Sequence, residues 1–133
     1  MTFEQWDVLK PYFIRDEFTC PCCDKEEMNY SFMLNILSIR KECNFPFTIT
    51  SAYRCLDHEK SQNRDSINGS HPRGEACDVN VWGEKAHTLL GIALEYGIRG
   101  IGIYQKEVNY HERFIHLDIN TSKIKYRPTI WTY

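Results

Sequence analysis

Apolar residues recur at helical spacing in some stretches of this chain and alternate with polar ones in others. Phe32, Met33, Ile36, Leu37 and Cys43 fall near a 3.6-residue period, which predicts an amphipathic helix over 29–42. Ala86, Leu89, Leu90, Ala93 and Leu94 form one stripe of the clearest helix, Glu84 to Tyr96, with Gly97 as its C′ residue. A short helix opens at Thr2, where Gln5 completes a capping box, and Pro11 interrupts it. Cys20-Pro21-Cys22-Cys23-Asp24 reads as a tight turn. β-Formers dominate 47–53, 98–104 and 113–119. In 77–82 the pattern alternates, with Cys77, Val79 and Val81 on one face and Asp78, Asn80 and Trp82 on the other. Residues 54–74 are polar and are expected to be a long loop, a feature that in a small domain is usually functional or disordered. The order α, α, β, loop, β, α, β, β predicts an α+β fold with a small antiparallel sheet and flanking helices.

Length and charge narrow the function classes. The 133 residues suit a single domain spanning 1–133. Sixteen basic against eighteen acidic residues leave a net charge of −2, with no basic stripe to hold nucleic acid. No apolar run reaches the length of a membrane span. The start of the chain lacks a basic region followed by an apolar one, so no secretory signal is expected. The six cysteines are then most simply thiols at synthesis in a reducing cytoplasm. Aromatics at 14 % fit either large core side chains or an aromatic-lined groove, and composition does not choose. The chain is expected to act as a monomer.

The chemistry concentrates in two stretches. Ser70-His71-Pro72-Arg73-Gly74-Glu75-Ala76-Cys77-Asp78 is answered about forty residues on by Phe114-Ile115-His116-Leu117-Asp118. His71, Asp78 and His116 together form a three-ligand set that leaves a metal one open position, the mark of a catalytic rather than a structural zinc. Two nitrogens and one oxygen suit zinc, with nickel, cobalt or iron allowed by the same rules. A lone histidine in a strand is more often a hydrogen-bonded core residue. The conjunction with Gly74, Ala76 and the His-Leu-Asp triplet favours the ligand reading.

Ser51-Ala52-Tyr53-Arg54-Cys55, His71-x-x-Gly74-x-Ala76-x-Asp78, Gly100-Ile101-Gly102-Ile103-Tyr104 and Phe114-Ile115-His116-Leu117-Asp118 resemble, in this order, the zinc D-Ala-D-Ala carboxypeptidase family. That family includes phage endolysins and shares its fold with the hedgehog signalling domain. Glu17-Phe18-x-Cys20 resembles the start of its small phage-type members, so the likeness runs from about residue 13 to Trp131. It implies Zn²⁺ held by His71, Asp78 and His116, with Arg54 polarising the substrate near the scissile carbonyl. It implies a substrate in the stem peptides or cross-links of bacterial peptidoglycan. The enzyme would reach the cell wall after lysis, through a holin, or with a virion. A surface ion pair is the plainer reading of Arg54, and Ser51 and Tyr53 fit a role in shaping the strand.

The likeness fails at the general base. Many relatives carry Asp or Glu three residues before the last histidine, where this chain has Arg113, which cannot accept a proton. Glu112 is the first choice because it would share the face of His116 on a straight strand. Asp118 fits better as a group that orients His116. Glu75, Glu107 and His111 are weaker alternatives, and Tyr104 either donates to an oxyanion or packs. Gly69 stands where many relatives have serine. The missing carboxylate also keeps open a non-enzymatic binding module that retains zinc for stability. Cys20, Cys22 and Cys23 offer thiols for a second metal, with Cys43 or Cys55 needed to complete four ligands; buried free thiols or a disulfide are the alternatives.

Overall fold

The computed structural model describes residues 1–64 and 67–133. Its elements in chain order are α1 (Phe3–Leu9), α2 (Tyr30–Cys43), β1 (Thr48–Ser51), α3 (Leu56–Ser61), β2 (Ala76–Asn80), α4 (Gly83–Glu95), β3 (Gly100–Tyr104), β4 (Phe114–Asp118) and β5 (Thr129–Thr132). Short 3₁₀ turns lie at Arg15–Phe18 and Tyr110–Glu112. The sheet runs β1-β2-β4-β3-β5. The pairs among β1, β2, β4 and β3 are antiparallel, and β5 joins β3 in parallel. The α+β class therefore holds, with a mixed sheet where the sequence pattern suggests a wholly antiparallel one. The departure has a simple cause: the chain returns from β4 through a polar connection that lets Thr129–Thr132 add to the free edge of β3.

Local signals explain most helix ends. Thr2 Oγ1 accepts from the Gln5 amide at 3.1 Å while Gln5 Oε1 accepts from the Thr2 amide at 2.9 Å, the reciprocal capping box. Asn29 caps α2 through its side chain, and Asn44 closes it in the left-handed region at φ 58°. Helix α3 falls inside the stretch expected to be loop. At six residues it spans under two turns, too short to show a helical period.

One sheet face carries Cys77, Val79, Ile101, Ile115 and Leu117, all buried in the same apolar cluster as Phe32, Met33, Ile36 and Leu89. Its other face carries Asp78, His116 and Asp118. Strand β2 is buried along its first four residues, so both of its faces are covered. No helix among the described residues is long and apolar enough to cross a membrane.

Candidate metal centre

Register places the polar side chains. Asp78 on β2 lies directly opposite His116 on β4, and Ala76 lies opposite Asp118. On the other side of β4, Gly102 faces His116 and Gly100 faces Asp118. A side chain at Gly100 would overlap the Asp118 carboxylate, and one at Gly102 would overlap Trp131 and Tyr133. The two glycines thus leave room for Asp118 and for the Trp131 ring, whose centroid sits 5.1 Å from that of His116. His71 arrives from the loop before β2 and is itself buried.

Three donor atoms meet. His116 Nδ1 lies 2.9 Å from Asp78 Oδ1 and 3.2 Å from His71 Nε2. His71 Nε2 lies 3.5 Å from Asp78 Oδ1. Ligand atoms on a tetrahedral zinc, at bonds of about 2.0–2.1 Å, stand about 3.3 Å apart, so this spacing fits such an ion. The remaining ring nitrogens are spoken for. His71 Nδ1 donates to the Ala52 carbonyl at 2.6 Å, and His116 Nε2 donates to Asp118 Oδ2 at 2.7 Å. Each bond fixes a tautomer whose other nitrogen presents its lone pair to the shared point.

The surroundings set the charges. Burial keeps His71 below the ordinary imidazole range despite the attraction of Asp78. Burial also opposes charge on His116, but hydrogen bonds to Asp118 and Asp78 outweigh it and raise its pKa. Asp78 is held well below the usual carboxylate range, since the imidazoles of His71 and His116 overcome its burial. Ionised carboxylate beside neutral imidazole is the form that binds a divalent cation.

Arg54 borders the donor set. Its Nη2 lies 3.3 Å from Asp78 Oδ2 and 3.2 Å from His71 Nε2, and its Nε donates to Ser51 Oγ at 2.7 Å. Its Nη1 reaches Glu59 Oε1 at 3.5 Å, the same oxygen that Arg64 Nη1 meets at 3.3 Å. These groups line a cleft of about 490 Å³ whose walls include Phe114, Lys125, Arg127, Trp131 and Tyr133. Arginine and lysine outnumber carboxylates along it.

The structure does not bring the other sequence-stretch candidates to this point. Glu112 sits exposed in the 3₁₀ turn before β4, outside the cleft lining. The straight strand that would have put it on the face of His116 begins only at Phe114. Glu75 is buried against Thr121 and Arg73. Tyr104 donates to Glu107 and packs its ring behind Phe114 and Tyr133, and neither Tyr104 nor Glu107 lines the cleft. His111 meets the Trp82 ring edge-on. Sequence reasoning missed Glu59 and Arg127. Neither stands in a motif whose spacing announces it.

No curated protein matches the chain. The family model for peptidase M15 matches residues 11–118, which include all three donors, Arg54 and Asp118. This span covers most of the chain, and it supports a metallopeptidase-type function. The chain belongs to the peptidase M15 family.

Proposed function

We propose that the protein is a zinc-dependent peptidase hydrolysing an amide bond in peptidoglycan stem peptides or cross-links, as a D-Ala-D-Ala carboxypeptidase or endopeptidase. The observation that carries this reading is the convergence of His71 Nε2, Asp78 Oδ1 and His116 Nδ1, with each imidazole's second nitrogen committed elsewhere. A zinc ion held there supplies Lewis acidity to an amide carbonyl and acidifies water.

The chain's own residues do the rest. Arg54, fixed by Ser51 and Glu59, presents a cation to the negative charge that develops on the carbonyl oxygen. Among the described residues, the carboxylates lining the cleft are Asp78, which belongs to the donor set, and Glu59. Glu59 therefore takes the role of proton acceptor and returns the proton to the leaving amine. Trp131, Phe114 and Tyr133 supply apolar wall. The setting is a bacteriophage lysin or tail-associated enzyme, delivered to the wall by lysis, a holin or the virion.

A second reading, a zinc-stabilised binding module of hedgehog type, draws on the position of Glu112 outside the cleft. Mass spectrometry of muropeptides digested with the zinc-loaded protein separates the two. New amine termini formed by the wild type and absent with His116→Ala support the peptidase and identify the bond. Intact muropeptides after treatment with folded, zinc-loaded protein would leave the binding module.

A further inference from the structure

We propose that Cys20, Cys22, Cys23 and Cys55 form a second, structural zinc site. Their four sulfurs lie within 4.8 Å of one another. Cys22 Sγ is 3.5 Å from Cys20 Sγ and 3.3 Å from Cys55 Sγ. A tetrahedral tetrathiolate zinc, with bonds of about 2.3 Å, sets its sulfurs about 3.8 Å apart. Disulfide sulfurs stand at about 2.05 Å, and all four cysteines are free.

The backbone builds the pocket from two distant pieces. The Cys20 carbonyl accepts from the Asp24 amide at 2.9 Å, and the Cys20 amide donates to the Lys25 carbonyl at 2.8 Å. That closed turn gathers Cys20, Cys22 and Cys23 on one side. Cys55 comes from the residue before α3. The amide of Cys55 donates to Cys20 Sγ at 3.4 Å, and that of His58 donates to Cys55 Sγ at 3.4 Å. Such amide donors offset the negative charge that gathers on thiolate sulfur.

Four protein ligands close the coordination shell, so this site holds structure, in contrast to the open three-ligand centre. Soft thiolates in a tetrahedron select zinc or iron; zinc is the ion proposed. Its place in the fold suggests what it stabilises. Cys55 follows Arg54, so the ion ties the turn at 20–23 to the residue beside the guanidinium that meets Asp78. This last consequence rests on the peptidase reading; the site itself does not.

The test loads the full chain with zinc under reducing conditions, removes excess, and measures metal by mass spectrometry. The wild type is expected to hold two zinc ions per chain, His116→Ala one, and the Cys22→Ser/Cys23→Ser double variant one. Cobalt substitution should give intense sulfur-to-metal charge-transfer absorption that persists in His116→Ala and vanishes in the double variant. Alkylation of the wild type supplies an arm that needs no variant. Cys22 and Cys23 are exposed, so they should react slowly with zinc bound and fast after chelation. Zinc content unchanged in the Cys22→Ser/Cys23→Ser double variant, iron in place of zinc, or equal alkylation of Cys22 and Cys23 with and without zinc would overturn the proposal. These readouts stand whether or not the protein cleaves peptides.

Discussion

Arg127 grips Asp118 with two parallel hydrogen bonds, Nε to Oδ1 at 2.9 Å and Nη2 to Oδ2 at 2.8 Å. Asp118 in turn accepts from His116 Nε2 at 2.7 Å and from Ser70 Oγ at 3.0 Å. Burial opposes its charge, yet Arg127 and His116 hold its pKa below the usual carboxylate range. The segment leading to β5, beyond the stretch that the family model matches, therefore steadies His116 through one intermediary. Asp118→Asn is expected to weaken zinc binding at the His-Asp-His centre by roughly 10–100-fold. Arg127→Lys should also weaken it, because an ammonium cannot reproduce the two-pronged contact. Competition with a chromophoric chelator measures both; unchanged affinity in Asp118→Asn would contradict the orienting role.

Arg54 Nη2 touches two members of the donor set, His71 and Asp78. Arg54→Ala is expected to lower kcat by about 10²–10³, the usual loss for one oxyanion-stabilising donor, with a smaller change in KM. Steady-state kinetics on a defined stem peptide checks this. A change confined to KM would make Arg54 a substrate-binding group instead.

Glu59 and Glu112 make opposite predictions. Glu59→Gln keeps the side chain's size and its hydrogen bonds to arginine but cannot take a proton. It is expected to lower kcat by about 10²–10⁴ and to remove the acid limb of the pH–rate profile. Glu112→Gln, altering an exposed side chain away from the cleft, should match the wild type. The reverse result would return the base to Glu112.

Gly74 holds the turn that delivers His71. Its amide donates to the His71 carbonyl at 3.0 Å, and its carbonyl accepts from the Asn29 amide at 2.8 Å. Its φ is +67°, and an added Cβ would overlap the backbone of Glu27. Gly74→Ala is expected to cost about 2–4 kcal/mol from left-handed strain and overpacking together. Urea unfolding measures the loss; a stability equal to the wild type would contradict the close approach.

Stability should fall on the alkaline side. Burial, with Glu42 adding to it, pushes the Cys43 thiol up to about 11 from an ordinary 9.0. Burial and then Glu27 push the Tyr53 phenol up to about 12 from 10.0. Burial raises the Cys77 thiol as well. Each fold-state pKa lies above its unfolded value, so the neutral forms favour the folded chain. That contribution is complete below about pH 9 and is lost as pH rises through the folded values. Thermal unfolding of reduced, zinc-saturated protein should show a falling midpoint above about pH 9. A flat profile would contradict the burial of these groups.

Periodicity and punctuation, being local, carried much of the architecture. The stripe of α4, the capping box of α1, and the strands around Asp78 and His116 follow from side-chain spacing and from residues that satisfy nearby backbone groups. The motif pairing His71, Asp78 and His116 was readable because metal-ligand chemistry needs those residue types and fixed glycines beside them. Helix α3 was not readable, since six residues bury too little to impose a period. Nor was the parallel docking of β5, because strand pairing depends on which edge stays free once the others have paired.

Distance in space was the other thing the chain order withheld. Where Glu112 points depends on where the 3₁₀ turn ends and β4 begins. Arg127 reaches Asp118 across 9 residues, and Cys55 meets Cys20 and Cys22 across 35 and 33. Residue type and spacing thus determined which side chains were able to do chemistry. Packing of the sheet against its helices decided which of them share a point, because only the folded backbone sets the few ångströms over which coordination and proton transfer work.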